Sequence, residues 1–176
     1  MPSISVMEPW GSSIVFVFST GGDRSEKVKV KSEKQALLSF KKGLEDPSTR
    51  LSYWDVEADC CMWARAKNQP YVKHTLGGEV NPSFLNLKHL SYLDLSRNDF
   101  GGIPIPSFLG SLTNLRYLNL SEARFGGTVP SQLGNLSSLR SLGLEGYSRY
   151  GDVRLDVENL DWLSRLQLWN ALTSAK

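Results

Sequence analysis

Residues 87–96 read Leu-Lys-His-Leu-Ser-Tyr-Leu-Asp-Leu-Ser. Leucines at 87, 90, 93 and 95 set a Leu-x-x-Leu-x-x-Leu-x-Leu template. It restarts at Leu112 (with Leu115, Leu118 and Leu120), at Leu136 (with Leu139, Leu142 and Leu144) and at Leu160 (with Leu163, Leu166 and Leu168). The starts are 25, 24 and 24 residues apart (112−87, 136−112, 160−136). The closing Leu-x-Leu alternates faces as a short strand does, with leucines inward and the intervening residues outward. The connecting halves repeat too. Leu76-Gly77-Gly78 precedes Pro82-Ser83-Phe84-Leu85, Phe100-Gly101-Gly102 precedes Pro106-Ser107-Phe108-Leu109-Gly110, and Phe125-Gly126-Gly127 precedes Pro130-Ser131-Gln132-Leu133-Gly134. Glycine allows a turn where a side chain would clash, and proline ends the strand and suits the start of a helical turn.

One such unit cannot bury enough apolar surface to offset the entropy of ordering about 24 residues at ~1–2 kcal/mol each. Neighbours must cover its open ends, so the units stack. The spacing predicts an α/β repeat: a right-handed leucine-rich-repeat solenoid with short parallel strands on the concave face and an N-terminal helical cap. These repeats usually place Asn three residues after the last strand leucine, where its side chain satisfies buried backbone groups. Asn98 fills that place once, while Ala123, Tyr147 and Ala171 stand at the other three.

Working outward, residues 76–170 hold three to four repeats, residues 32–75 the cap, and residues 171–176 a tail. Ser32 to Gly43 reads as one amphipathic helix, with capping-box spacing from Ser32 to Gln35, an apolar face of Leu37, Phe40 and Leu44, and a stop at Gly43 and Asp46-Pro47. Residues 1–31 read as a degenerate signal peptide or a disordered tail. The run Ile14-Val15-Phe16-Val17-Phe18 is five residues against the ~7–15 that a signal core needs, and no basic residue precedes it. Arg24, Lys27, Lys29 and Lys31 read as a solvated basic arm.

The chain has 176 residues, 20 basic and 18 acidic, for a net charge of +2. That balance gives no electrostatic case for nucleic acid. No stretch approaches the ~20 apolar residues of a membrane span. The two cysteines, Cys60 and Cys61, are adjacent, too close for an unstrained disulfide. His74 and His89 do not complete a metal-ligand spacing with them. Nothing has the arrangement of a catalytic site, so the sequence predicts no enzyme, no cofactor and no metal. Asp152, Asp156, Glu158 and Asp161, near Arg149, Arg154 and Arg165, read as a solvated charged loop.

The segments Ser-Glu-Lys-Gln-Ala-Leu-Leu-Ser-Phe-Lys at 32–41, Leu-Ser-Tyr-Trp-Asp at 51–55 and Cys-Cys-Met-Trp at 60–63 resemble the N-terminal cap of plant leucine-rich-repeat receptor-like proteins. The repeats, with Gly-Gly-Thr-Val-Pro at 126–130, are similar to the plant extracellular subclass. The resemblance spans residues 32–170. It implies an ectodomain fragment that recognises a peptide or protein in defence or development signalling. The expected setting is extracellular or at the plasma membrane, with a receptor kinase co-receptor as a further partner. The alternatives are a secreted inhibitor of a cell-wall-degrading enzyme and a non-functional truncated paralogue. The family's cap continues Cys-x-Trp-x-Gly-Val-x-Cys, where this chain has Arg65, Ala66 and Asn68 in place of Gly, Val and the closing Cys. The chain also stops within its fourth repeat, so a truncation is expected.

The outward strand residues form the expected binding face: Tyr92, Asp94, Ser96 and Arg97, then Tyr117, Asn119, Ser121 and Glu122, then Ser141, Gly143 and Glu145. Strands ~4.8 Å apart bring Tyr92 beside Tyr117, and paired exposed aromatics suit a protein contact. Gln167 and Trp169 are the matching residues of the last copy. Two glycosylation sequons begin at Asn119 and Asn135.

Overall fold

A computed structural model describes residues 3–6, 14–18, 26–47, 49, 51–52, 54, 75–145, 155–156 and 161–166. Leu90–Asp94 (here β5), Tyr117–Asn119 (β6) and Ser141–Gly143 (β8) are the strands of three successive repeats. They pair in parallel, Tyr92 to Tyr117 to Ser141 and Asp94 to Asn119 to Gly143. Turn bonds continue the ladder past the strand ends. The Leu95 and Arg97 amides donate to the Asn119 and Ser121 carbonyls at 2.8 and 2.9 Å, and Leu120 donates to Gly143 at 2.8 Å.

The core follows the leucine template. Leu87, Leu90, Leu93 and Leu95, their counterparts Leu112, Leu115, Leu118 and Leu120, and then Leu136, Leu139 and Leu142 are all buried. Each strand is preceded by one 3-10 turn on the opposite side: Pro82–Asn86, Ser107–Ser111 and Ser131–Asn135. Proline marks each start, at the first helical residue in the first turn and at the cap position, Pro106 and Pro130, in the next two.

A fourth 3-10 turn spans Asp161–Arg165 and corrects the register of the last repeat. Leu87, Leu112 and Leu136 each close a 3-10 turn with an amide bond three residues back, and Leu166 does the same to Leu163 at 3.0 Å. Leu166 therefore occupies the place of Leu136 rather than that of a strand leucine. The interval is 30 residues (166−136) instead of 24, and Leu163 and Leu166 belong to the connecting half. Leucine spacing alone misleads here because Leu160, Leu163 and Leu166 fall on the template's intervals by coincidence. Residues 167–176, with the expected last strand, Gln167, Trp169 and the tail, lie outside the described residues, as does the lengthened segment 146–154. Leu155–Asp156 (β9) pairs in parallel with Gly127–Thr128 (β7) in a second small sheet.

The cap helix, α1, runs Glu26–Gly43, six residues earlier than the capping box suggests. Ser32 is thus interior. Glu26, Lys27, Lys29 and Lys31 favour helix enough to carry it back, which puts Lys27, Lys29 and Lys31 of the expected basic arm in the helix, while Arg24 lies outside the described residues. Leu37 and Phe40 are buried, and the Phe40 ring meets Phe84 of the first repeat at 4.4 Å and 54°. Leu44 is not on the helix. With Glu45 it forms β3, antiparallel to Gly77–Gly78 (β4). Gly78 sits at φ +92, and a Cβ there would strike the Gly43 carbonyl and the Glu45 amide, so only glycine closes this junction. Asn81 ties the same joint, its Nδ2 donating to the Ser39 carbonyl at 3.1 Å while its Oδ1 accepts from the Ser83 amide at 3.0 Å. Cys60, Cys61 and the departures at 65–68 lie outside the described residues.

Ser3–Val6 (β1) and Ile14–Phe18 (β2) are strands rather than a structureless tail. They pair antiparallel with each other, and β2 pairs antiparallel with β5: Val15 to Asp94, Phe16 to Leu93 and Val17 to Tyr92. The sheet order is β1-β2-β5-β6-β8. One register row reads Ile4, Phe16, Leu93, Leu118, Leu142. The five-residue run judged too short for a signal core has the length and β-branched, aromatic composition of a strand.

Candidate concave recognition face

The row Tyr92, Tyr117, Ser141 runs across the middle of the three repeat strands. The two tyrosine rings lie 4.0 Å apart at 1°. Strand spacing dictates this column, since side chains at matching register positions stand one strand apart. Both residues are half-buried. Burial, then a hydrogen bond with Tyr117 and the nearby Tyr117 and Asp94 charges, hold the Tyr92 phenol well above its usual range. It is a neutral hydroxyl at any physiological pH.

The next row is committed to internal bonding. Asp94 accepts from the Ser96 amide at 2.9 Å through Oδ1 and from Asn119 Nδ2 at 3.3 Å through Oδ2. Asn119 Oδ1 accepts from the Ser121 amide at 3.1 Å, and Ser121 Oγ accepts from the Glu145 amide at 3.2 Å. Asp94 and Ser96, expected at the surface, are each 8% exposed. Asp and Asn side chains bond backbone two residues on, and here that habit draws Asp94 and Asn119 into the sheet rim. Gly143 continues the row without a side chain. A Cβ there would lie 2.8 Å from Ser121 Oγ and closer still to Asn119 Oδ1.

Past the strand ends, Arg97 and Glu122 face each other at 3.6 Å, with Arg97 56% exposed along its side chain. Glu145 is exposed beyond them. Alternation alone misses the residues just before the strand centres: Arg116 and Arg140 are exposed there, in the row where the first repeat has buried Ser91. Their signal is an arginine one residue ahead of the tyrosine-row position in two successive repeats. The face therefore has a basic flank before the strands, an aromatic centre, and acidic Glu122 and Glu145 after them.

The two sequons differ. Asn119 is half-buried, with its carboxamide engaged as donor and acceptor. Asn135 is exposed at the end of its 3-10 turn, away from the concave strands. Among the described residues no group of three or more His, Cys, Asp and Glu side chains could hold a metal, and no helix is long and apolar enough to cross a membrane.

A stacked parallel ladder with leucines inward and a helical cap at one end defines a leucine-rich-repeat protein. The family models agree: residues 30–65 match a leucine rich repeat N-terminal domain and residues 88–146 a leucine rich repeat. The chain belongs to the leucine-rich-repeat proteins, and its relatives are plant receptor-like proteins. Receptor-like protein EIX2 of Solanum lycopersicum is 38% identical over 120 residues, 57% of this chain and 12% of that protein. EIX1 of the same species is 38% identical over 174 residues, 85% of this chain and 16% of that protein. The chain thus spans about a sixth or less of these relatives. Among solved structures, PEPR1–AtPEP1 matches with a TM-score of 0.51 and 31% identity, over 65% of this chain and 18% of that one.

Proposed function

We propose that this chain is the N-terminal part of a plant ligand-recognition ectodomain, placed outside the cell or at the plasma membrane. It holds a peptide or protein ligand across the concave strands, with a receptor kinase as a further partner in signalling. The observation that carries this reading is the Tyr92–Tyr117 column at the centre of the sheet, at the strand positions that the buried leucines leave outward. Aromatics in the middle of a polar face are the usual anchors of protein contacts. Relatives among receptor-like proteins support the same reading. Arg97, Ser121, Glu122, Ser141 and Glu145 belong to the contact face. Asp94, Ser96, Asn119 and Gly143 shape it from within. An N-linked glycan belongs on Asn135, clear of that face.

The test compares immobilised full-length protein with Tyr92→Ala/Tyr117→Ala in capture from microbial culture filtrate and plant apoplastic fluid, read by quantitative mass spectrometry. We expect at least one ligand whose recovery falls roughly tenfold or more, as a hot-spot loss of ~1.5–3 kcal/mol requires. Equal capture of every protein by the two forms refutes a tyrosine-centred face. Assaying the captured fractions for polysaccharide hydrolysis separates simple recognition from enzyme inhibition, the alternative use of the same face.

A further inference from the structure

The tyrosine column is interrupted, and the interruption has a definite shape. Two rings at 4.0 Å and 1° stack as plates along the direction in which strands succeed each other. The complete row is Ser3, Val17, Tyr92, Tyr117, Ser141. On the Tyr92 side the next position belongs to β2, at Val17. On the Tyr117 side it belongs to Ser141, whose side chain ends one atom beyond Cβ. The ring face of Tyr117 turned away from Tyr92 therefore looks over a strand position where no ring stands. In the adjacent row Asn119 and Ser121 lean into the space that a Gly143 side chain would take, beside Ser141. Neither Tyr117 nor Ser141 is buried. Strand spacing of ~4.8 Å sets the room, and that is the thickness of one more stacked plate.

We propose that the face of Tyr117 turned away from Tyr92, above Ser141, is a subsite for an aromatic side chain of the ligand, which completes a three-ring column. This rests on the concave-face reading and names the chemistry that reading requires. Aromatic pairs gain from parallel-offset contact beyond simple burial. Asn119 Oδ1 and Ser121 Oγ each accept one backbone amide and keep a second lone pair for an indole N–H or a phenol at the rim of the slot.

The experiment titrates the isotope-labelled full-length protein with N-acetyl-tryptophanamide, N-acetyl-tyrosinamide, N-acetyl-leucinamide and N-acetyl-argininamide at millimolar concentration, following the NMR signals of Tyr117 and Ser141. Both aromatic amides should shift these signals, with affinities roughly three- to tenfold above the leucine compound, the range of an aromatic pair. Ser141→Tyr places a ring of the protein's own in the slot and should abolish the shifts, while Leu118 and Leu142 amides stay dispersed as evidence of an intact sheet. Equal response to leucinamide, response to argininamide alone, or undiminished aromatic binding by a folded Ser141→Tyr protein each overturns the subsite. A ligand whose capture is lost in Tyr117→Ala but kept in Ser141→Tyr leaves the concave face standing and removes only the third-ring position.

Discussion

The turn after β5 buries Asn98, whereas the turn after β6 buries Ala123 at the corresponding place, 25 residues on (123−98). Asn98 Oδ1 accepts from the Leu76 amide at 3.2 Å, and its Nδ2 donates to the Leu95 and Ser96 carbonyls at 2.9 and 3.2 Å. Ala123 offers only its backbone, whose carbonyl takes the Phe100 amide at 3.1 Å. Beside it an ion pair does the joining: Arg124 Nη1 contacts both Asp99 carboxylate oxygens at 2.8 and 2.7 Å, and Asp99 Oδ1 also accepts from the Gly101 amide at 3.0 Å. One turn is thus fastened by a buried amide and the next by a partly exposed ion pair between neighbouring repeats. The lesson is that successive repeats need the same backbone groups satisfied, while the chemistry that satisfies them can change without changing the register.

The largest expected effect is at the buried amide. Asn98→Ala leaves a buried amide and two carbonyls without these partners and should cost about 2–4 kcal/mol in urea denaturation, since an unsatisfied buried group costs ~1–3 kcal/mol. A loss under ~1 kcal/mol would show that the two turns do not differ energetically. Arg124→Ala comes next. Its pair is well formed but about a third exposed, so the loss should be about 0.5–1 kcal/mol and should shrink in 1 M salt, where the Asn98→Ala loss persists. The smallest effect tests what the turns share. Arg97 and Glu122 hold matching left-handed conformations, φ 58 and 55, which side chains other than glycine adopt at a cost of ~1 kcal/mol. Arg97→Gly should therefore gain a few tenths of a kcal/mol, after the loss of its weak pair with Glu122 is deducted. A measurable destabilisation would mean that this pair outweighs the backbone strain.

The same contrast explains what could be read in advance. The leucine intervals determine the solenoid and its concave rows because burial repeats with the chain, and Tyr92 beside Tyr117 follows from register alone. Leucine spacing misplaces the fourth copy because leucines in a connecting turn have the same side chain as leucines in a strand, and the 3-10 turn Asp161–Arg165, closed by Leu166, tells them apart. Asp94 and Ser96 were placed outside because alternation assigns a face and is blind to a carboxylate folding back on a nearby amide. The early start of α1 reflects favourable residues upstream outweighing a plausible capping box. The place of Ile14–Phe18 depends on a partner strand more than seventy residues away, which no local pattern specifies. Arg116 and Arg140 show only when successive strands are laid side by side.

That N-terminal ribbon also bears on how the molecule meets others. A ladder of parallel strands must begin somewhere, and its first member offers a line of unsatisfied amides and carbonyls on which foreign chains could polymerise. With β2 seated along β5, that line is already taken, and the outermost strand reads Ser-Ile-Ser-Val, half of it hydroxyl-bearing. The open edge is thereby moved from β5 to a four-residue strand, and so short an edge gives foreign chains little to pair with.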